Sequence, residues 1–188
     1  MGQIRLNFGG VTALLVDRSN YCRSLIAQML RGFGLQAILS CENGAEAQEL
    51  LKTNHVDLCL IEADLPDMSG ADLIRWIRRE QKDPLRFVPI IVLSGYTQRR
   101  MLSANRDAGA NLLLKKPISA QAVFDRIAWV ARTPRPYIET GAYVGPDRRF
   151  RQVLPPDNAY KRESDGDGAV DGVSLETAGD NGLNRSCV

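Results

Sequence analysis

Histidine and cysteine are scarce in this 188-residue chain: His55 stands alone, and there are four cysteines. Cys22, Cys41, Cys59 and Cys187 form no CxxC pair and sit in apolar or terminal surroundings, which argues against a zinc site or a disulfide framework and for idle, reduced thiols. His55 begins an apolar run and is read as structural. Aromatic residues make up 6% of the chain, and Trp76 and Trp129 fall within helical patterns that suit packing better than a stacking platform. No apolar run approaches the roughly 18 residues of a membrane helix, and Met1 to Gly10 lacks the charged start and apolar stretch of a secretion signal, so a cytoplasmic protein without membrane insertion is expected. The chain also lacks a glycine-rich phosphate loop and a Ser-His-Asp set, which argues against a conventional enzyme.

What the chain does have is a core. Hydrophobic residues make up 44% of it, enough for one domain plus a tail. Between Val11 and Ala131 short apolar runs alternate with amphipathic ones. The runs Val11 to Val16, Leu35 to Leu39, Val56 to Ile61, Phe87 to Leu93 and Asn111 to Leu114 are too short for buried helices and read as strands covered on both faces. Between them Tyr21, Leu25, Met29 and Leu30, then Leu73, Ile74 and Ile77, then Val123, Ile127 and Val130 recur at helical spacing, and Gly32 with Gly34 stops the first helix. Five strands interleaved with five helices predict an α/β fold with a doubly wound parallel sheet. In such sheets the working site lies beyond the carboxyl ends of the strands. Those ends carry Asp17 and Arg18, Glu62 and Asp64, Ser94 and Gly95, then Lys116 and Pro117.

These residues, with Pro66 four and Gly70 eight positions after Glu62, carry a resemblance: from about Val11 to Arg132 the chain is similar to a bacterial response-regulator receiver domain of the stand-alone chemotaxis type. The resemblance implies a flavodoxin-like sheet of order 2-1-3-4-5 and a role in two-component signalling. It also implies an acidic pair that holds Mg²⁺ after strand one, an acceptor aspartate after strand three, a hydroxyl after strand four, and Lys-Pro, with a cis bond, after strand five. Ser94, Lys116 and Pro117 match. Glu62 stands at the phosphoacceptor position, and Arg18 stands where the direct metal ligand belongs. Leu113 replaces the aromatic residue that usually reads out phosphorylation.

A guanidinium in place of a carboxylate changes the local charge by about two units, where Mg²⁺ demands oxygen ligands. Two unit charges about 4 Å apart interact by about 4 kcal/mol at an effective dielectric of 20, and the ion carries twice that charge. The extra methylene of Glu62 also displaces the acceptor oxygen by about 1 Å. The expectation is a pseudo-receiver without cofactor, its Mg²⁺ binding lost, held in one signalling state by an internal ion pair, with a bidentate Arg18–Glu62 contact as the natural arrangement. Alternatives are a regulator phosphorylated at a non-standard acceptor such as Asp64 or Asp17, and a nucleic-acid adaptor.

Partners are expected to be signalling proteins such as a histidine kinase. The resemblance places docking on the fourth helix, fifth strand and fifth helix, where Arg99, Arg100, Arg106 and Lys115 would make a basic face. The domain is bounded as an N-terminal extension over residues 1–10, a receiver-like domain over 11–132, a linker over 133–162 and an acidic, glycine-rich disordered tail over 163–188. The linker carries Tyr143, Arg148, Arg149 and Arg151 in a segment that resembles one behind some stand-alone regulators; docking on a partner, folding back and touching nucleic acid are all open to it. Residues 1–132 carry 17 basic and 13 acidic side chains and the remainder 7 and 9, so neither part is basic enough to demand nucleic acid.

Overall fold

The computed structural model describes residues 8–95, 99–133, 135–141 and 143–147, with the side chains of Arg99 and Arg100 left out. Five parallel strands, β1 (Thr12–Val16), β2 (Ala37–Cys41), β3 (Leu58–Glu62), β4 (Ile90–Ser94) and β5 (Leu112–Lys115), lie in the order β2-β1-β3-β4-β5. Helices α1 (Asn20–Gly32), α2 (Gly44–Thr53), α3 (Gly70–Glu80), α4 (Arg99–Ala108) and α5 (Ala120–Arg132) connect and cover them. This is the expected doubly wound sheet.

The strands read as unbroken apolar runs because alternate side chains enter two separate cores. Leu14, Val16, Cys59, Ile61 and Val92 pack on one face with Ile74 and Ile77 of α3. Ala13, Leu15, Leu60, Ile91 and Leu93 pack on the other with Ile26 of α1 and Ile127 of α5. Four helices begin at side-chain caps: Ser19 accepts from Cys22 N, Asn43 from Glu46 N, Ser69 from Asp72 N and Ser119 from Ala122 N. Helix α1 ends in a left-handed turn at Gly34 (φ +102°), where the Gly34 N–H donates to Arg31 O and the Leu35 N–H to Leu30 O.

That turn corrects the second strand. Leu35 is buried as part of the helix stop, and β2 begins two residues later than its apolar run. As an edge strand β2 also leaves Ala37 and Ser40 exposed, so it is not covered on both faces. The α1 stripe is rotated from its expected phase: Ile26, Ala27 and Leu30 are buried, while Tyr21 is 75% exposed. The run before β4 splits into a 3₁₀ turn (Leu85–Phe87) and the strand proper.

Both ends of the expected domain move outward. Phe8, assigned to an extension, is buried in the second core. Residues 135–141 and 143–147, assigned to a linker, carry a hairpin of β6 (Tyr137–Glu139) and β7 (Val144–Pro146), with β7 packed on α3 and Val144, Gly145 and Pro146 buried. The predicted tail over 163–188 lies outside the described residues. Burial, followed by the nearby Glu46 charge, pushes the Cys41 thiol up to about 12, and burial pushes that of Cys59 to about 12 as well, consistent with inert thiols. His55 meets Asp57 at 2.8 Å, at the amino end of β3 and away from the strand ends that carry the pocket.

Candidate functional site

Asp17 follows β1 and is fully buried, and Glu62 closes β3 and is 7% exposed. Lys116 follows β5 and lies between them: its Nζ donates to Asp17 Oδ2 at 2.5 Å and to Glu62 Oε1 at 2.8 Å. The remaining carboxylate oxygens are taken by backbone. Ser19 N–H donates to Asp17 Oδ1 at 2.9 Å, and Arg18 N–H donates to Glu62 Oε2 at 3.0 Å. All four oxygens of the two buried carboxylates therefore carry a donor. Burial works to lower the Lys116 proton affinity, but the hydrogen bonds and charges of Asp17 and Glu62 outweigh it and hold the ammonium above its ordinary range.

Arg18 does not form the expected bidentate pair with Glu62. Its Nη1 donates to Asp64 Oδ2 at 3.1 Å, while its Nε stands 3.9 Å from Glu62 Oε2. The physical reason is occupancy: Lys116 and the Arg18 backbone already hold the two Glu62 oxygens, so the guanidinium turns to the next acid at the rim. Arg23 adds a second cation nearby, its Nη1 donating to Asp17 O at 2.6 Å. Ser94 is buried at the end of β4, and its carbonyl accepts from the Lys116 N–H at 2.7 Å. The Lys116–Pro117 bond is cis, as the resemblance implies.

The loop after β3 is built for close approach. A Cβ on Gly70 would lie 2.4 Å from Glu62 O, so only glycine lets α3 begin this near the acceptor position. Asp67 ties the same loop to α2, accepting from Gly44 N and Ala45 N at 2.8 Å each, an anion on a helix amino end. Burial pushes the Asp67 carboxyl up, but these and other backbone donors outweigh it, so it sits below the ordinary aspartate value of 3.8. Its folded-state affinity for a proton is thus lower than in the unfolded chain. The stabilisation is present above the unfolded value and fades as pH falls through the folded one. Asp67→Ala is expected to cost about 1 kcal/mol at neutral pH, a difference that shrinks in denaturant melts taken below the ordinary aspartate range.

Asp17, Arg18, Glu62, Asp64, Ser94, Lys116 and Pro117 thus converge on one pocket. Of the residues proposed for docking, Arg106 and Lys115 do not join it. Arg106 is half-buried on α4 with Nε 3.5 Å from Asp107, Lys115 is exposed at the end of β5, and the Arg99 and Arg100 side chains are not described. Leu113 packs against the first core. Tyr143 belongs to the hairpin, where its hydroxyl donates to Pro146 O at 2.8 Å, and Arg148, Arg149 and Arg151 lie outside the described residues. Sequence reasoning missed Asp67 and the buried Arg78. The second lies four residues after Ile74, on the apolar stripe of α3, and that position is the one signal of it.

A family model described as the response regulator receiver domain matches residues 13–128. The chemotaxis protein CheY of Pseudomonas aeruginosa is 26% identical over 114 residues, covering 61% of this chain and 90% of that protein. The polar-differentiation response regulator DivK of Brucella ovis is 24% identical over 116 residues, covering 62% and 92%. The solved chemotaxis response regulator CheY4 of Vibrio cholerae superposes with a TM-score of 0.59 at 22% identity, covering 64% of this chain and 98% of that one. Two independent lines, the strand-end pocket and the family match over most of the described residues, meet on one conclusion: the chain belongs to the response-regulator receiver family of two-component signalling.

Proposed function

We propose that this receiver is a pseudo-receiver, which signals through protein contacts without Mg²⁺-dependent aspartyl phosphorylation. The observation that carries the reading is the occupancy of Asp17 and Glu62: each of their four carboxylate oxygens accepts a hydrogen bond, two from one ammonium and two from backbone N–H groups. A lysine bridge by itself leaves room for a metal, because the ammonium can shift. Arg18 removes that room twice. It supplies a cation where a third oxygen ligand is needed, and it engages Asp64, the remaining acid at the rim.

Mg²⁺ keeps near-ideal octahedral geometry and dehydrates reluctantly, so a site must offer oxygens that are free or cheaply freed. This pocket offers three carboxylates already engaged by Lys116 and Arg18, the second standing at the ligand position, with Arg23 beside Asp17. The residues present do not fit the ion. Without it, the negative charge that gathers on a transferring phosphoryl group is met among the described residues by the half-buried Lys116, and Glu62 presents its oxygen too far along the line of attack. No catalytic role is assigned.

Output then rests on surface recognition, by a histidine kinase or another pathway protein in the cytoplasm. No described helix is long and apolar enough to cross a membrane. The face of α4, β5 and α5, with Arg99, Arg100, Arg106 and Lys115, is the docking surface in this reading, suited to an acidic patch. Treatment of the intact protein with acetyl phosphate and Mg²⁺ is expected to leave its mass unchanged. A gain of one phosphoryl group would refute the proposal and restore the reading of a working regulator with an unusual acceptor.

A further inference from the structure

The hairpin of β6 and β7 meets the domain at a buried charge. Arg78 of α3 is fully buried, and its guanidinium donates to Gly109 O (3.1 Å), Arg86 O and Val88 O (2.8 Å each) and Asn111 Oδ1 (3.1 Å). No carboxylate stands among these partners. The open face of the guanidinium is covered by the Tyr137 ring, whose centroid lies 5.1 Å away. Tyr137 also donates from its hydroxyl to Asn111 Oδ1 at 3.3 Å and meets Phe87 edge-on at 5.2 Å. One aromatic residue of the hairpin therefore touches the loop before β4 and the loop before β5 at once.

The second half of the hairpin is held by backbone. Gly109 ends α4 with φ +107°, and a Cβ there would lie 2.6 Å from Val144 O. A Cβ on Gly145 would lie 2.8 Å from Gly109 Cα. Each glycine makes room for the other segment, so the approach is written into both places in the sequence. Arg86 Nη2 to Glu139 at 2.9 Å closes the outer edge, and the Arg135 guanidinium lies 4.6 Å from the Trp129 ring centroid at the end of α5.

We propose that the paired strands β6 and β7 are an intramolecular strap that fixes the carboxyl end of α4 to the sheet, opening as one unit with Gly109–Asn111, so that the segment following the receiver governs the freedom of α4. The strap is independent of the pocket chemistry. Its lever is geometric: Asn111 accepts from Arg78, Ile90 N (2.9 Å) and Tyr137, and it stands between the end of α4 and the start of β5. Loosening Tyr137 withdraws the cover of Arg78 and a donor to Asn111 together.

Native-state hydrogen exchange on the full chain tests this. In the wild type the Gly109, Ala110 and Asn111 amides are expected to share one opening rate with the Thr140 and Asp147 amides of the hairpin. Tyr137→Ala should speed both groups together by about thirtyfold, the size of one desolvated cation–π contact, while amides of β1 and β3 stay unchanged. Tyr137→Phe, which keeps the ring, should stay within about threefold of the wild type. The proposal is overturned if the hairpin amides accelerate while Gly109–Asn111 keep their protection. If Tyr137→Ala does not fold, the wild-type pattern decides: separate opening rates for the two groups would equally overturn it.

Discussion

The double variant Arg18→Asp with Glu62→Asp is expected to take up phosphate from acetyl phosphate in the presence of Mg²⁺, where the wild type takes up none. Every other part of the pocket is already in place. Asp17 is buried at the end of β1, Lys116 bridges toward the acceptor position, and Ser94 closes β4. The two substitutions repair separate faults. Arg18→Asp removes the cation at the ligand position and supplies a metal ligand, whose loss costs several kcal/mol of charge stabilisation. Glu62→Asp draws the acceptor oxygen back by about 1 Å, a displacement worth about a hundredfold in rate.

Each single variant should therefore remain poor, because the other fault persists, and the gain should be strongly non-additive. The double variant should exceed either single one by at least about a hundredfold. Time courses of intact mass read the result. A double variant that folds but stays unmodified would mean that the pocket is disabled by something other than these two side chains.

Arg78→Met should destabilise the protein by about 4 kcal/mol, lowering the melting temperature by roughly 10 °C. The guanidinium is not a paired charge that a hydrophobic side chain could replace. Its donors satisfy the carbonyls of Arg86, Val88 and Gly109, and truncation leaves these buried groups without their charged partner. Tyr137 would lose the cation beneath its ring at the same time. Arg78→Lys should rescue little, since one ammonium cannot reach a set of acceptors spread around a planar fork. Burial already pulls the Arg78 proton affinity down, yet no acid is supplied to compensate, so hydrogen-bond geometry carries the residue. Chemical denaturation of the two variants beside the wild type measures the effect. A loss below about 1 kcal/mol for Arg78→Met would show that water replaces the lost donors freely.

Much of the fold was legible because burial on both sheet faces leaves continuous apolar runs, and the runs of β1, β3 and β5 overlap their strands closely. The pocket was legible for the same reason: strand ends in a doubly wound sheet point to one place, and the polar residues there are few. Failures came where local pattern and tertiary geometry disagree. Leu35 looks like strand but belongs to the stop of α1, because its N–H closes the turn on Leu30. Tyr21 and Leu25 have helical spacing, yet α1 is set on the sheet by Ile26, Ala27 and Leu30.

The Arg18 contact was misjudged because side-chain identities do not reveal backbone donors. The Arg18 N–H, invisible in a list of charges, takes the oxygen that its guanidinium was expected to claim. The hairpin was hidden for a related reason. Strands of three residues give no periodicity, and what holds them, Arg78 and Gly109, lies far upstream in the chain.

The account turns on whether the pocket admits a divalent ion. Calorimetric titration of Mg²⁺ into the wild-type protein and the Arg18→Asp variant reads this without reference to phosphorylation. The predicted result is no saturable heat for the wild type up to millimolar ion, and a single-site isotherm for the variant. Saturable binding to the wild type, abolished by Asp17→Asn, would contradict the account.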